Sequence, residues 1–216
     1  MILAIGDSNL YPACTESDQP IDITNMTIVF SQNLADSVSC WAKNGASNYW
    51  IENHLDYFLA DSRWEPDTLL FIGWTSFERE EWPWLYSNIS VCGGPDFGMP
   101  EPMKPRFNQW KTTLTGDYYR KMTQFWHDRI YEIHLKLRKR GIRHLFWTTY
   151  NNFNTIDTHQ EWHNNFYKPY NNDGCMAKFF ETNNILANDG DPFHYGPAAQ
   201  VAWAAELSKY TIEHNL

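Results

Sequence analysis

A serine acts as a nucleophile when a base takes its proton and a carboxylate holds that base in the right tautomer. Two short segments of this chain carry those groups. Gly6-Asp7-Ser8 follows the apolar run Ile2 to Ile5 and would stand at the carboxyl end of a buried strand, where open α/β sheets present their loops to ligands. Asp191-Pro192-Phe193-His194 lies near the other end of the sequence, just before Pro197. An Asp three residues before a His, on a bent loop, could supply the orienting carboxylate, and Pro192 biases Asp191 toward extended backbone. Each segment also has an ordinary reading. G-D-S is common turn chemistry, and Asp191 and His194 suit the entry to a helix.

Other constellations point less clearly to chemistry. His159-Gln160-Glu161-Trp162-His163 has the spacing of a zinc helix, but Gln160 stands where a metalloprotease base would be, so no metal is expected. Glu78, Glu80 and Glu81 are too dense in sequence to face one another across a sugar and read as a solvated helix start. Gly93-Gly94 lacks a phosphate-loop pattern. Nothing calls for a cofactor.

The positioning elements follow from apolar patterning. Ile2 to Ile5, Thr68 to Ile72 and His144 to Thr149 are short buried strands bordered by Gly6, Gly73 and Gly141, with a weaker strand at Ser37 to Trp41. Between them, Ile51, Leu55, Phe58 and Leu59 recur at helical spacing behind a cap at Ser47 or Asn48. A longer helix carries Tyr119, Met122, Trp126, Ile130, Ile133 and Leu137 on one stripe, basic residues in its last turn, and Gly141 as its stop. The last helix opens at Pro197 and presents Ala198, Val201, Ala202 and Ala205 as its packing face. Alternation of this kind predicts a parallel sheet of about five strands covered on both faces, a three-layer α/β/α domain spanning 1–216. Two stretches, 78–116 and 150–183, are too long for plain connections and read as insertions over the sheet's carboxyl edge.

Read together, the two terminal segments resemble the SGNH (GDSL-type) hydrolase superfamily, which carries a serine in a GDS block after its first strand and a D-x-x-H block near its end. His194-Tyr195-Gly196-Pro197 with Ala202-Trp203-Ala204 is similar to the end block of phage members. The resemblance implies Ser8 as nucleophile, His194 as general base and Asp191 as its partner. Asn44-Gly45-Ala46-Ser47-Asn48 resembles the second block, with Asn48 where the family has an oxyanion-binding glycine. A backbone N–H at a helix N-terminus can still serve there. The third block, usually G-x-N-D, reads Gly73-Trp74-Thr75-Ser76, so the asparagine amide is missing and Thr75 or Ser76 would offer a hydroxyl instead. The expected oxyanion donors are thus Ser8, Asn48, Thr75 and Ser76, with Asp7, Asn9, Trp74, Trp82 and Trp84 contacting substrate.

The chain has 216 residues and a formal charge of −9, from 17 Lys plus Arg against 26 Asp plus Glu, which argues against nucleic acid or an anionic membrane as partner. No apolar run is long enough to span a bilayer and no signal peptide is evident, so a cytoplasmic or virion-associated setting is expected. The four cysteines show no C-x-x-C pair and read as reduced thiols. The 11 Trp, 12 Tyr and 13 Phe exceed what a core needs. Those outside apolar periods, Trp82, Trp84, Tyr86, Phe97, Trp162, Phe166, Tyr167 and Tyr170, suit stacking on a sugar or an aromatic acyl group. The resulting expectation is a serine esterase acting on a carbohydrate O-acetyl or similar ester. The alternative is a non-catalytic glycan-binding or virion-associated protein on the same scaffold, or an interaction protein whose aromatic loops bury against a partner chain.

Overall fold

The computed structural model describes residues 1–7, 9–10, 25–61, 67–85, 87–94, 99–188 and 191–216, the side chains of Ser87, Asn188 and residues 191–194 excepted. Four strands, β1 (Ile2–Gly6), β2 (Val38–Ala42), β3 (Leu69–Trp74) and β6 (His144–Thr148), form a parallel sheet in the order β2-β1-β3-β6. Numbering leaves β4 (Glu80–Trp84) and β5 (Ser87–Val91) as a separate antiparallel hairpin. About five strands were expected in the sheet. The fifth position, outside β6, holds only two bridging residues, Phe166 opposite Phe146 and Cys175 opposite Thr148.

Strand alternation divides the core in two. Leu3, Ile5, Leu70, Ile72 and Phe146 face one layer, built from α2 (Asn48–Ala60) and α4 (Gly116–Lys139). Ile2, Ala4, Leu69, Phe71, Leu145 and Trp147 face the other, built from α1 (Met26–Asn33), α5 (Met176–Thr182) and α6 (Pro197–Glu213). Both faces of β1, β3 and β6 are buried, which is why these segments read as apolar runs, while β2 at the sheet's edge is only half-buried. The fold is the three-layer α/β/α arrangement that the patterning predicts.

Helix boundaries follow local chemistry. Thr115 caps α4 by accepting from Tyr118 N, and Lys136, Arg138 and Lys139 occupy its last turn. It ends in a Schellman motif: Gly141 takes φ +68°, its N–H donates to Arg138 O, and Ile142 N donates to Leu137 O. Ser47, not Asn48, caps α2, accepting from Trp50 N at 3.2 Å. On α6 the expected packing face is wrong. Ala199, Trp203, Ala204 and Leu207 are buried, whereas Val201 is exposed and Ala198 and Ala205 face solvent. From Pro197 to Ala205 the helix carries small apolar residues on nearly every side, Gln200 apart, so the periodicity there does not choose a side; the bulk of Trp203 and Leu207 does.

The two long stretches build structure of their own. Residues 78–116 contain the β4–β5 hairpin, a 3₁₀ turn at Glu101–Met103 and α3 (Lys104–Lys111), closed around a satellite core of Trp82, Val91, Met99, Met103 and Phe107. Arg106 stacks on the Trp82 ring at 4.1 Å. Glu80 accepts from Trp82 Nε1 (2.8 Å), Trp110 Nε1 (3.0 Å) and Tyr118 Oη (3.3 Å), which makes it a structural hub rather than a solvated charge. Residues 150–183 send Phe153, Trp162 and Phe166 into the first core and Tyr167 into the second. The chain then runs through α5 to a short antiparallel pair, β7 (Ala187–Asn188) and β8 (Asp191–Tyr195), directly before α6. Among the described residues no helix is long and apolar enough to cross a membrane.

Candidate functional site

The carboxyl edge of the sheet collects Asp7 after β1, Asn48 at the start of α2, Thr75 after β3 and Tyr150 after β6. Asp7 is 1% exposed and its carboxylate is shared among several donors. Its Oδ1 accepts from Asn9 N at 3.0 Å and Asn9 Nδ2 at 3.2 Å, and its carbonyl accepts from Leu10 N, so the turn is braced on both sides of position 8. Gly6 permits this turn, because a Cβ there would lie 2.4 Å from Leu10 Cδ1. Ser8 itself lies outside the described residues.

Across the edge, Asp7 Oδ2 accepts from Thr75 Oγ1 at 2.7 Å and from Arg79 Nη1 at 3.4 Å. Arg79 Nη1 also donates to Ala46 O at 3.1 Å. The Asn48 carboxamide binds the Thr75 backbone twice, accepting from its N–H at 2.8 Å and donating to its C=O at 3.2 Å. These bonds assign the expected donors. A carboxylate only accepts, so the single Thr75 hydroxyl proton points to Asp7 and is not offered to an oxyanion. The Asn48 side chain is likewise committed, leaving its backbone N–H, in the unpaired first turn of α2, as the group that can bind an anion. Ser76, 8% exposed, has no side-chain hydrogen bond among the described residues.

Tyr150 connects this network to the far end of the chain. Burial pushes its phenol up, and the Asp7 charge pushes the same way; an Asn9 hydrogen bond and Arg79 oppose, and Tyr195 adds to the rise. The phenol therefore senses both Asp7, next to Ser8, and Tyr195, next to His194. Asp191 and His194 lie on β8, a strand rather than the bent loop expected, and their side chains lie outside the described residues. Tyr195 packs on Phe180, ring centroids 4.3 Å apart. Beside Tyr150 opens a cleft of about 920 Å³ lined by Tyr119, Asn151, Asn152, Asn154 and Thr155 among others. Asn151 Oδ1 also accepts from Phe77 N at 3.1 Å, tying the cleft wall to the strip that follows β3.

Several expected substrate contacts fall elsewhere. Trp74 is fully buried between Trp126 and Phe146, and Trp82 is 3% exposed inside the satellite core. Neither ring faces solvent: Trp74 ends β3 inside the first core, and Trp82 closes the satellite core of the 78–116 stretch. Trp84 is half-buried against the same satellite core. Trp162, Phe166 and Tyr167 are buried too, Tyr167 donating to Glu206 at 2.7 Å, while Tyr170 is half-buried. Tyr86 and Phe97 lie outside the described residues. His159 stacks on Tyr170 at 3.8 Å and His163 faces Glu161, and no group of three metal-binding side chains occurs among the described residues. Cys175 is buried, which pushes its thiol up, and Cys40 and Cys92 are half-buried; Cys14 lies outside the described residues.

Sequence reasoning missed Arg79 and Tyr150. Arg79 is the single cation in Glu78-Arg79-Glu80-Glu81, and Tyr150 sits two residues beyond β6 on the edge that holds the other strand ends. No family model matches the chain, and no curated protein matches it. A solved structure that resembles it is a protein from Slackia heliotrinireducens provisionally described as an SGNH hydrolase, at 13% identity, 97% coverage of each chain and a TM-score of 0.46.

Proposed function

We propose that this protein is a serine esterase of SGNH type whose substrate is an ester of a hydroxyl-rich, carbohydrate-like molecule. The observation that carries the reading is the carboxyl edge of the sheet, where Asp7, the neighbour of Ser8, accepts from Thr75 and Arg79 while Asn48, at the N-terminus of α2, binds the Thr75 backbone. The upward push of Asp7 and of Tyr195, the neighbour of His194, on the Tyr150 phenol supports bringing both ends of the chain to that edge.

In this reading His194 takes the Ser8 proton as Oγ attacks the ester carbonyl, and Asp191 holds the imidazole tautomer. The backbone N–H groups of Ser8 and Asn48 receive the oxyanion. Collapse expels the alcohol, protonated by His194. Water, deprotonated by the same imidazole, then attacks the acyl-enzyme, and breaking the Oγ–acyl bond releases the acid and restores Ser8. The cleft suits the alcohol portion: carboxamides both donate and accept, and phenol rings offer flat faces with a polar edge, the combination that a ring bearing several hydroxyls requires.

One observation favours a second reading, a glycan-binding or virion-associated protein without turnover. The Thr75 hydroxyl and the Asn48 amide are both occupied, so neither replaces the missing asparagine donor. A fluorophosphonate probe followed by intact mass separates the two. One adduct on Ser8, absent in Ser8→Ala and in His194→Ala, together with turnover of p-nitrophenyl acetate, supports the esterase. Glycan binding that survives Ser8→Ala with no adduct and no turnover supports the second reading.

A further inference from the structure

The polar side chains that bind Asp7 and Thr75 commit their donors to one another, except on one side chain. Thr75 gives its hydroxyl proton to Asp7, Asn48 gives its amide to Thr75 O, and Asn9 gives N–H and amide to Asp7. Arg79 differs. Its Nη1 is held by Asp7 Oδ2 and Ala46 O, but its Nε–H is buried with no partner among the described residues, and the side chain is only 11% exposed. A buried guanidinium N–H without an acceptor is costly unless something else is to occupy the space before it.

The two anchors fix where the guanidinium lies. Asp7 immediately precedes Ser8, and Ala46 stands two residues before Asn48. Arg79 thus spans the two segments whose backbone N–H groups are the other oxyanion donors. Its charge is permanent, and a cation is worth most where negative charge appears only as the transition state forms. The four bonds that Asp7 accepts spread its charge over Thr75 and Asn9 as well, so the carboxylate orients the guanidinium without neutralising it entirely.

We infer that Arg79 supplies the third oxyanion contact, its guanidinium taking the part of the asparagine amide that Gly73-Trp74-Thr75-Ser76 lacks. The inference rests on the esterase reading. It makes the missing third-block residue a relocation of the donor, from the end of β3 to the turn that follows, where Arg79 N donates to Ser76 O at 3.2 Å.

The test is p-nitrophenyl acetate hydrolysis and the rate of fluorophosphonate labelling at Ser8, for wild type, Arg79→Ala and Arg79→Lys, each with and without added guanidinium ion. Loss of one oxyanion donor predicts a fall in kcat of about 10²–10³ for Arg79→Ala, with KM changed far less. Guanidinium is expected to restore part of that kcat and to leave wild type unchanged. Arg79→Lys keeps a charge beside Asp7, so it serves if Arg79→Ala does not fold, and its kcat is expected below wild type because a point charge cannot hold Asp7, Ala46 O and an oxyanion at once. A wild type that turns over and labels at Ser8, with either variant keeping kcat within about threefold, overturns this inference alone. So does a fall in kcat that guanidinium never relieves. A wild type that neither turns over nor labels overturns the esterase reading and this inference with it.

Discussion

The Asn48 carboxamide grips the Thr75 peptide at both ends, its oxygen on the N–H at 2.8 Å and its nitrogen on the C=O at 3.2 Å. Asn48 is fully buried, as is Thr75, so water has no access to replace either bond. The pair therefore fastens the start of α2 to the end of β3 and sets where Thr75 presents its hydroxyl to Asp7.

Replacing Asn48 with Ala strands a buried donor and a buried acceptor on Thr75. Each costs about 1–3 kcal/mol, so Asn48→Ala is expected to lose on the order of 3 kcal/mol in urea unfolding. Asn48→Asp keeps the acceptor but sets a carboxylate oxygen against the Thr75 carbonyl in a fully buried site, and is expected to cost at least as much as Ala. An unchanged denaturation midpoint for Asn48→Ala would contradict the role assigned to this amide.

Acid should weaken the fold through two buried histidines. His144 Nδ1 donates to Ile142 O at 2.9 Å, which leaves its Nε2 to accept from His134 Nδ1, also at 2.9 Å. Burial lowers His134 to about 3, helped by the charges of His144, His163 and Arg138. Burial likewise lowers His144 to about 4, against the pull of the Ile142 carbonyl. Both folded values lie below the unfolded value of about 6.5, so between about pH 6.5 and 4 the unfolded chain binds more protons. Stability from this pair is full above that window and falls as pH drops through it. In urea unfolding from pH 7 to 4, His134→Phe is expected to show a shallower slope than wild type. Equal slopes would refute this origin.

Two glycines should respond oppositely to alanine. A Cβ on Gly73 would stand 2.5 Å from Cζ2 of Trp147, a ring with no exposed surface into which to retreat. Gly73→Ala is expected to cost about 1–3 kcal/mol by overpacking. Gly116, the first residue of α4, has nothing within 4 Å, and Gly116→Ala is expected to gain about 0.5–1 kcal/mol from reduced backbone freedom in the unfolded chain. Thermal unfolding of the two variants should move in opposite directions.

Trp82→Ala should loosen the satellite core and spare the sheet. The ring packs with Val91, Met99, Met103 and Phe107 and carries the Arg106 contact, and comparable deletions cost about 3–5 kcal/mol. Hydrogen exchange is expected to speed up across β4 and β5 while the amides of β1 and β3 keep their protection. Uniform loss of protection would show that the insertion and the sheet unfold as one unit.

What the sequence reveals here depends on how local the signal is. The strand end at Gly6, that of β3 one residue beyond Gly73, and the cap-and-stop chemistry of α4 are set within a few residues, and they are readable directly. The exposed face of α6 is not, because Ala198 through Ala205 offers apolar side chains in nearly every direction and only contact with the sheet decides. Loop aromatics such as Trp82, Trp162 and Tyr167 read as ligand platforms because their satellite and insertion cores are assembled from residues far apart in the chain. Arg79 meets Asp7 and Ala46 across 72 and 33 residues, a relationship that no spacing within its own segment expresses.

The two bridging residues beside β6 matter beyond the sheet they complete. Phe146 gives its N–H to Asn165 O and takes one from Tyr167 N, Thr149 O takes Ala177 N, and the Asn165 amide covers His144 O. An uncovered outer strand is a template on which another molecule can add itself, the first step of fibril growth. Here that flank is already occupied by the molecule's own chain, so the insertion that borders the carboxyl edge of the sheet also serves as a guard against self-assembly, and shortening it would remove both at once.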